Sequence, residues 1–265
     1  MPAASIFDLS IFFSSIEPAF LLSPIFHPPS DPAEYVMLLL RWFHFVAGII
    51  WIGHLYFFNL VNVNLMKALD GPTKGKVIPQ LMPRALWWFR WGAVITVLVG
   101  LTYYAMYMLK PDSSNAGKNV WVILLVWLLI LIGTFAVQFF AVRKVDNGWL
   151  LAVIVAVLMM VMSILVVIWL RSQLGDNGSS PTYSIGLGGG LGFIMMLNVW
   201  GIIWPNQKRI ISWTADNAEN GTAVPPESAK LARVAFLASR ANAWLSLPML
   251  LLMAASKHFT GWLGV

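Results

Sequence analysis

Six stretches of the chain are apolar for long enough to cross the hydrocarbon core of a membrane as an α-helix, which takes about 20 residues. They cover residues 35–60, 86–109, 120–142, 149–170, 185–204 and 241–263. Hydrophobic residues make up 59% of the 265 residues and charged residues 11%, which is more apolar surface than a soluble core of this size can bury. The sequence therefore predicts an all-α fold, a polytopic membrane bundle of about six transmembrane helices in residues 35–265.

Lysine and arginine are distributed unequally between alternate connections of these helices. One side has only Arg41, Lys110, Lys118, Arg171 and Lys257. The other side has Lys67, Lys74, Lys76, Arg84, Arg90, Arg143, Lys144, Lys208, Arg209, Lys230, Arg233 and Arg240. Since basic loops stay in the cytoplasm, we expect both termini on the opposite, periplasmic side.

Residues 1–34 precede the first apolar stretch and are expected to be a periplasmic or interfacial segment. They lack the basic start of a secretory signal, and the acidic Asp8 and Glu17 argue against a transit peptide. We interpret this segment as a short interfacial helix or cap.

The first span carries ionisable residues where a simple anchor would be apolar. Arg41, His44 and Gly48 follow helical spacing on one stripe, which should face the bundle because a lipid-facing arginine is costly. Imidazole is a common ligand of haem iron, Gly48 leaves room for a flat ring, and Arg41 suits a propionate. The chain has no cysteine, so a haem here would be of the b type, without covalent attachment through thiols.

A second axial ligand must come from another helix. His54 lies ten residues beyond His44, which places it about 15 Å further along the helix and rotated away, so these two cannot share one iron. His258 on the last span is the best candidate, with Ala254 and Ala255 one turn away to admit the ring. The alternative is that His44 hydrogen-bonds a neighbouring helix and His258 reaches toward the membrane interface.

A second polar group of residues lies at the predicted cytoplasmic side, around several tryptophans. Its members are Arg84, Arg90, Asn206 and Arg240. Arginine donates paired hydrogen bonds and tryptophan offers a stacking face, a combination that suits a planar anionic substrate. The alternative is a basic collar that only sets the topology.

Glycine is concentrated at the start of the fifth span, between Gly186 and Gly192. The spacing is not that of a dinucleotide-binding loop, and no strand precedes it. The pattern predicts close packing of this helix against its neighbours.

Four tryptophan-rich segments carry a family resemblance: RWFHFVAGIIWIG, MPRALWWFRWGA, NVWGIIWPNQKRI and SRANAWLSLPMLLLMAASKHF. From about Arg41 to Phe259 the chain resembles the membrane domain of the bacterial membrane-bound urate oxidases. The resemblance implies oxidation of urate or a related purine at the bacterial inner membrane, with electrons passed to a cytochrome c. Members of that family typically carry this cytochrome as a C-terminal domain. This sequence has no CxxCH motif, so the acceptor is expected to be a separate periplasmic c-type cytochrome.

Two other functions remain compatible with the sequence. The chain would serve as an accessory or structural subunit of a larger membrane electron-transfer complex, with or without haem, if it lacked urate chemistry. A small-molecule transporter is less favoured, because transporters tend to have inverted repeats and broken spans, and only the glycine-rich fifth span and Pro248 suggest an interruption.

Overall fold

The computed structural model describes residues 31–258, so most of the predicted N-terminal segment lies outside the described residues. Six helices in this part of the chain are long and apolar enough to cross a membrane, which confirms the predicted helical bundle. Their bounds are α1 Pro32–Ala68, α2 Gly71–Asn115, α3 Val120–Lys144, α4 Gly148–Leu174, α5 Ser180–Asn220 and α6 Glu227–His258. The chain divides into two units, Met1–Leu39 and Leu40–Val265, and the second contains all the contacts and cavities that follow.

Short polar side chains start most of these helices. Asn119 and Asn147 each accept hydrogen bonds from the first free backbone N–H groups of α3 and α4. Ser179 accepts from the backbone N–H of Thr182 at the start of α5, and Asp70 accepts from that of Thr73 at the start of α2. These caps satisfy groups that have no partner within the helix, which allows sharp turns between long helices.

Glycines bring α5 close to two of its neighbours. A Cβ on Gly188 would lie 3.1 Å from Cβ of Leu252 in α6, and a Cβ on Gly190 would lie 3.1 Å from Cδ2 of Leu131 in α3. Most of α5 between Ser180 and Asn198 is buried. The glycine-rich stretch is therefore used for helix packing, as its composition predicts.

The stretches between the predicted spans at residues 61–85 and 205–240 are mainly helical, which corrects the expected extent of the spans. α1 and α2 are interrupted only at residues 69–70, and α5 and α6 only at residues 221–226. A Cβ on Gly75 in α2 would lie 3.1 Å from Cβ of Ala218 in α5, so the two extensions pack on each other. A helix that buries only one face carries polar residues on the other. The helical extensions therefore fall outside the apolar stretches that mark the spans.

We call the two ends of the bundle the basic end and the terminal end. The basic end contains the α1–α2, α3–α4 and α5–α6 connections, and the terminal end contains the α2–α3 and α4–α5 connections. Asp112, at the end of α2, is a buried carboxylate at the terminal end. Its Oδ2 accepts hydrogen bonds from the backbone N and Oγ of Ser179, at 2.8 and 2.7 Å, which fixes the start of α5 to the end of α2.

Candidate functional site

A cavity of about 720 Å³ lies toward the terminal end, between α1, α2, α5 and α6. Pockets for small molecules and cofactors commonly measure about 300–1,000 Å³ and are mostly apolar with a few polar anchors. The described residues that line this cavity include no carboxylate and are largely apolar or aromatic. Its size and lining suit a large, flat and mainly hydrophobic ligand.

His44 is held in one orientation by a contact between helices. Its Nδ1 lies 2.9 Å from the backbone oxygen of Thr96 in α2. A carbonyl oxygen only accepts, so Nδ1 carries the proton and Nε2 of the neutral ring is left with its lone pair. Histidines that bind metals usually donate their other ring N–H to a carbonyl or carboxylate in this way.

Gly100 in α2 provides the space that the His44 ring occupies. A Cβ at Gly100 would lie 2.7 Å from both Cε1 and Nδ1 of His44, which is closer than such atoms approach. Any larger residue at this position would displace the imidazole from the Thr96 carbonyl. Nothing in the local sequence of α2 distinguishes Gly100 from a glycine used for packing, so sequence analysis missed it.

The structure brings the four predicted cofactor-binding residues to one cavity. Arg41, His44, Gly48 and His258 all line it, together with Ala254. Ala255 is buried and is not part of the lining. Arg41 is exposed. It forms no ion pair with another described residue, because the single ion pair among residues 31–258 joins Arg209 and Glu227.

His54 takes no part in the cavity. Its Nδ1 lies 2.7 Å from the backbone oxygen of Ile50, one turn earlier in α1, so the ring bonds its own helix. This matches the expectation that His54 is too far along α1 and too rotated to act with His44.

Aromatic side chains add polar groups to the cavity that the sequence did not assign. Trp51 is buried and its Nε1 has no hydrogen-bond partner among the described residues. The hydroxyl of Tyr104 donates to the backbone oxygen of Thr182 at 3.3 Å, which links the cavity wall to the start of α5. The free N–H of Trp51 cannot be read from the sequence, because it depends on which acceptors the neighbouring helices offer.

The four residues predicted to bind substrate at the basic end lie in different surroundings. Arg84 is exposed and donates to the side chain of Gln80 at 3.0 Å. The guanidinium of Arg90 lies 3.6 Å from the centre of the Trp204 ring, and that of Arg240 lies 5.2 Å from the Phe236 ring. Asn206 is buried, and its Nδ2 has no partner among the described residues. None of the four lines the large cavity or the smaller cavity described next.

A smaller cavity of about 90 Å³ lies near these residues, where α1 contains a π-helical turn over Phe57–Asn62. Asn59 and Asn62 line it from α1, Gln207 lines it from α5, and Ser239 and Phe236 line it from α6. A π-helical turn often marks a functional site, because the wider turn redirects side chains. Here it buries Phe58, Asn59 and Asn62 together.

The model of a protein family described as urate oxidase N-terminal matches residues 69–264. The chain belongs to this family. The chain itself matches no curated protein and no solved structure.

The urate oxidase N-terminal match covers α2 to α6 and begins just after α1 ends at Ala68. Three of the four tryptophan-rich segments fall inside it, and the segment at residues 41–53 falls outside, so the resemblance expected from Arg41 is confirmed from residue 69 onward. Thr96, Gly100 and His258 thus belong to the matched part. His44 lies on the preceding helix and contacts that part through Thr96.

Proposed function

We propose that this urate-oxidase-related membrane protein is a haem-containing oxidoreductase that oxidises urate or a related purine and passes the electrons to a separate periplasmic c-type cytochrome. The observation that carries the proposal is the large cavity, in which an oriented histidine, a second histidine and an arginine without an ion-pair partner among the described residues share one apolar lining. The family match supports the choice of urate.

The residues of the large cavity fit haem b. His44 would ligate the iron through Nε2, because its Nδ1 is committed to the Thr96 carbonyl. His258 would be a second ligand of the iron, Arg41 would pair with a propionate, and the small residues Gly48 and Ala254 would leave room for the ring. Haem b, when bound there, would supply a one-electron carrier between the purine and the cytochrome.

The protein would keep that carrier in a dry and fixed environment. Apolar side chains form most of the lining, which keeps water away from the space that the ring would occupy. The Thr96 carbonyl holds the imidazole orientation before the cofactor arrives, and such second contacts typically contribute about 10–100-fold to metal affinity.

The distribution of basic residues supports an orientation with the large cavity toward the periplasm. Twelve lysines and arginines belong to the basic end, which would stay in the cytoplasm. The terminal end would then face a periplasmic acceptor. Reporter fusions at the C-terminus test this: alkaline phosphatase should be active and a cytoplasmic reporter inactive, and the reverse result would exclude a periplasmic cytochrome partner.

The central experiment is a spectrum of the purified protein before and after addition of urate without oxygen. A pyridine haemochrome assay should detect haem b, and urate should reduce it. If the folded protein binds no haem even after haem is added, the proposal is overturned. If haem is bound but urate does not reduce it, the protein would instead be an accessory subunit that carries electrons from another enzyme.

A further inference from the structure

The small cavity at the basic end contains a hydrogen-bond acceptor whose identity is fixed. The Nδ2 of Asn59 donates to the backbone oxygen of Leu55 at 2.9 Å and to Oγ of Ser239 at 2.9 Å. A carbonyl oxygen cannot donate, so the amide cannot be turned around. The Oδ1 of Asn59 therefore remains an acceptor, and it has no partner among the described residues although the residue is only 4% exposed.

Asn62 places a second free acceptor in the same cavity. Its Oδ1 also lacks a partner among the described residues, and the residue is 8% exposed. Its Nδ2 lies 3.9 Å from Sδ of Met82, a weak acceptor. A buried acceptor without a donor is unfavourable, so two such residues in the lining of one cavity indicate a ligand with N–H or O–H groups.

The other walls of the cavity are mainly aromatic and apolar, with an arginine nearby. The rings of Phe58 and Phe89 lie 5.3 Å apart and nearly perpendicular, at 81°. Phe236 is 39% exposed, so the cavity opens on that side. The Arg240 guanidinium, 5.2 Å from the Phe236 ring, lies beside this opening.

We propose that the small cavity recognises the N–H edge of the purine substrate, with Asn59 and Asn62 accepting hydrogen bonds from ring N–H groups and Arg240 attracting the anionic remainder. The proposal rests on the proposed function and assigns a place to its substrate. A volume of about 90 Å³ is the space of roughly three water molecules. It admits one edge of a bicyclic ring, and the rest of the ring lies toward Phe236.

This assignment changes the residues expected to bind substrate. Of the four arginine and asparagine residues that the sequence suggested, Arg240 lies against a side chain of the small cavity, 5.2 Å from the ring of Phe236. Arg90 instead faces Trp204, and the indole N–H of Trp200 donates to the backbone oxygen of Arg90 at 3.2 Å. Recognition by uncharged amides distinguishes ligands by the position of their N–H groups rather than by charge alone.

The test measures urate binding to the haem-loaded full chain in detergent by titration calorimetry. Asn62→Leu keeps the size of the side chain and removes the acceptor, so the affinity for urate should fall about tenfold, the equivalent of one lost hydrogen bond in a buried site. Asn64→Leu is the matched control, since Asn64 is exposed and lies outside the cavity, and it should bind urate as the wild type does.

Urates methylated at single ring nitrogens provide the second measurement. Wild-type protein should bind the derivative that lacks the N–H facing Asn62 about tenfold more weakly than urate, whereas Asn62→Leu should bind both equally. This comparison uses the wild type, so it decides the question even if Asn62→Leu fails to fold.

The outcomes separate this inference from the proposed function. Equal urate affinity in wild type and Asn62→Leu, with no discrimination among methylated urates, would mean that the cavity holds only water and would overturn the inference alone. Failure of the haem-loaded wild type to bind urate would overturn both the inference and the choice of urate. A wild-type protein without a haem spectrum would count against the proposed function and would say nothing about the small cavity.

Discussion

The two cavities of the bundle differ in size, polarity and the way their polar groups are held. The large cavity is about eight times the volume of the small one, 720 against 90 Å³, and is lined mainly by apolar side chains around one oriented imidazole. The small cavity is lined by Asn59 and Asn62, in the π-helical turn of α1, and their amide oxygens have no donor among the described residues. A large apolar space with few anchors suits a cofactor, whereas a tight polar space suits recognition of one edge of a ligand.

The same helix serves both cavities, which explains how one bundle separates two tasks. His44 and Asn59 are fifteen residues apart on α1, a rise of about 22 Å along the helix. Changes at one cavity should therefore leave the other nearly unaffected, because mutations at well-separated sites act independently. The Arg240→Gln variant described below tests that separation directly.

The largest effect is expected from His44→Ala and His258→Ala. Each should remove the low-spin haem band or convert it to high spin, because an axial ligand is lost. His54→Ala is the control, since its ring bonds Ile50 within α1, and it should keep the band. A full low-spin spectrum in His44→Ala would show that the iron, if bound, uses other ligands.

Gly100→Ala should lower haem affinity roughly 10–100-fold, as loss of a supporting contact to a metal ligand does. The added methyl group occupies the position of the His44 ring, 2.7 Å from Nδ1, and forces the imidazole off the Thr96 carbonyl. Gly133→Ala in α3 is the matched control because a Cβ there meets no atom within 4 Å. Haem titration of both variants measures the difference, and equal affinities would remove the role assigned to Gly100.

Arg240→Gln should raise the KM for urate about tenfold without changing the haem spectrum. The variant loses the charge-assisted contact between Arg240 and the substrate at the opening of the small cavity. Such a contact contributes about 1.5–3 kcal/mol when it is buried and less at a half-buried position such as this one. Arg84→Gln is the control, since Arg84 is exposed and bonded to Gln80. A shift in the haem band of Arg240→Gln would contradict the separation of the two cavities.

Asp112→Asn should lower the free energy of unfolding by about 1–3 kcal/mol. Both hydrogen bonds from Ser179 go to Oδ2, so the amide oxygen of asparagine could still accept them, but without the negative charge that strengthens them. Asp176→Asn is the control: Asp176 is exposed in the α4–α5 connection, three residues before Ser179, and its replacement should leave the stability nearly unchanged. Thermal unfolding followed by circular dichroism measures the change, and urate affinity should stay the same in both variants.

The smallest effect is expected from Asp70→Ala at the start of α2. The hydrogen bonds from Thr73 hold the pKa of the Asp70 carboxyl below its ordinary value. The carboxylate therefore stabilises the fold above its ordinary pKa of about 4, and this contribution is lost as the pH falls through the lowered pKa. The melting temperature of Asp70→Ala should be slightly below that of wild type at pH 7, and the difference should shrink as the pH falls below about 4. A difference that does not change with pH would exclude the charge as its cause.

The sequence by itself determined the number of helices, the unequal charge of the two ends and the inward stripe of α1. These properties depend on residues that are consecutive or one turn apart, because apolar length and helical spacing are local. The sequence also placed the Gly188 region at a close helix contact, since small side chains in a membrane span serve few other purposes.

The tertiary structure decided which of the polar residues act together. The Thr96 carbonyl that orients His44 and the glycine that makes room for its ring lie more than fifty residues away in α2, and their meeting depends on how α1 and α2 cross. The free oxygens of Asn59 and Asn62 likewise depend on a local widening of α1 and on Ser239 in α6. Hydrogen bonds between helices are set by the angle and depth of packing, which residues adjacent in sequence do not specify.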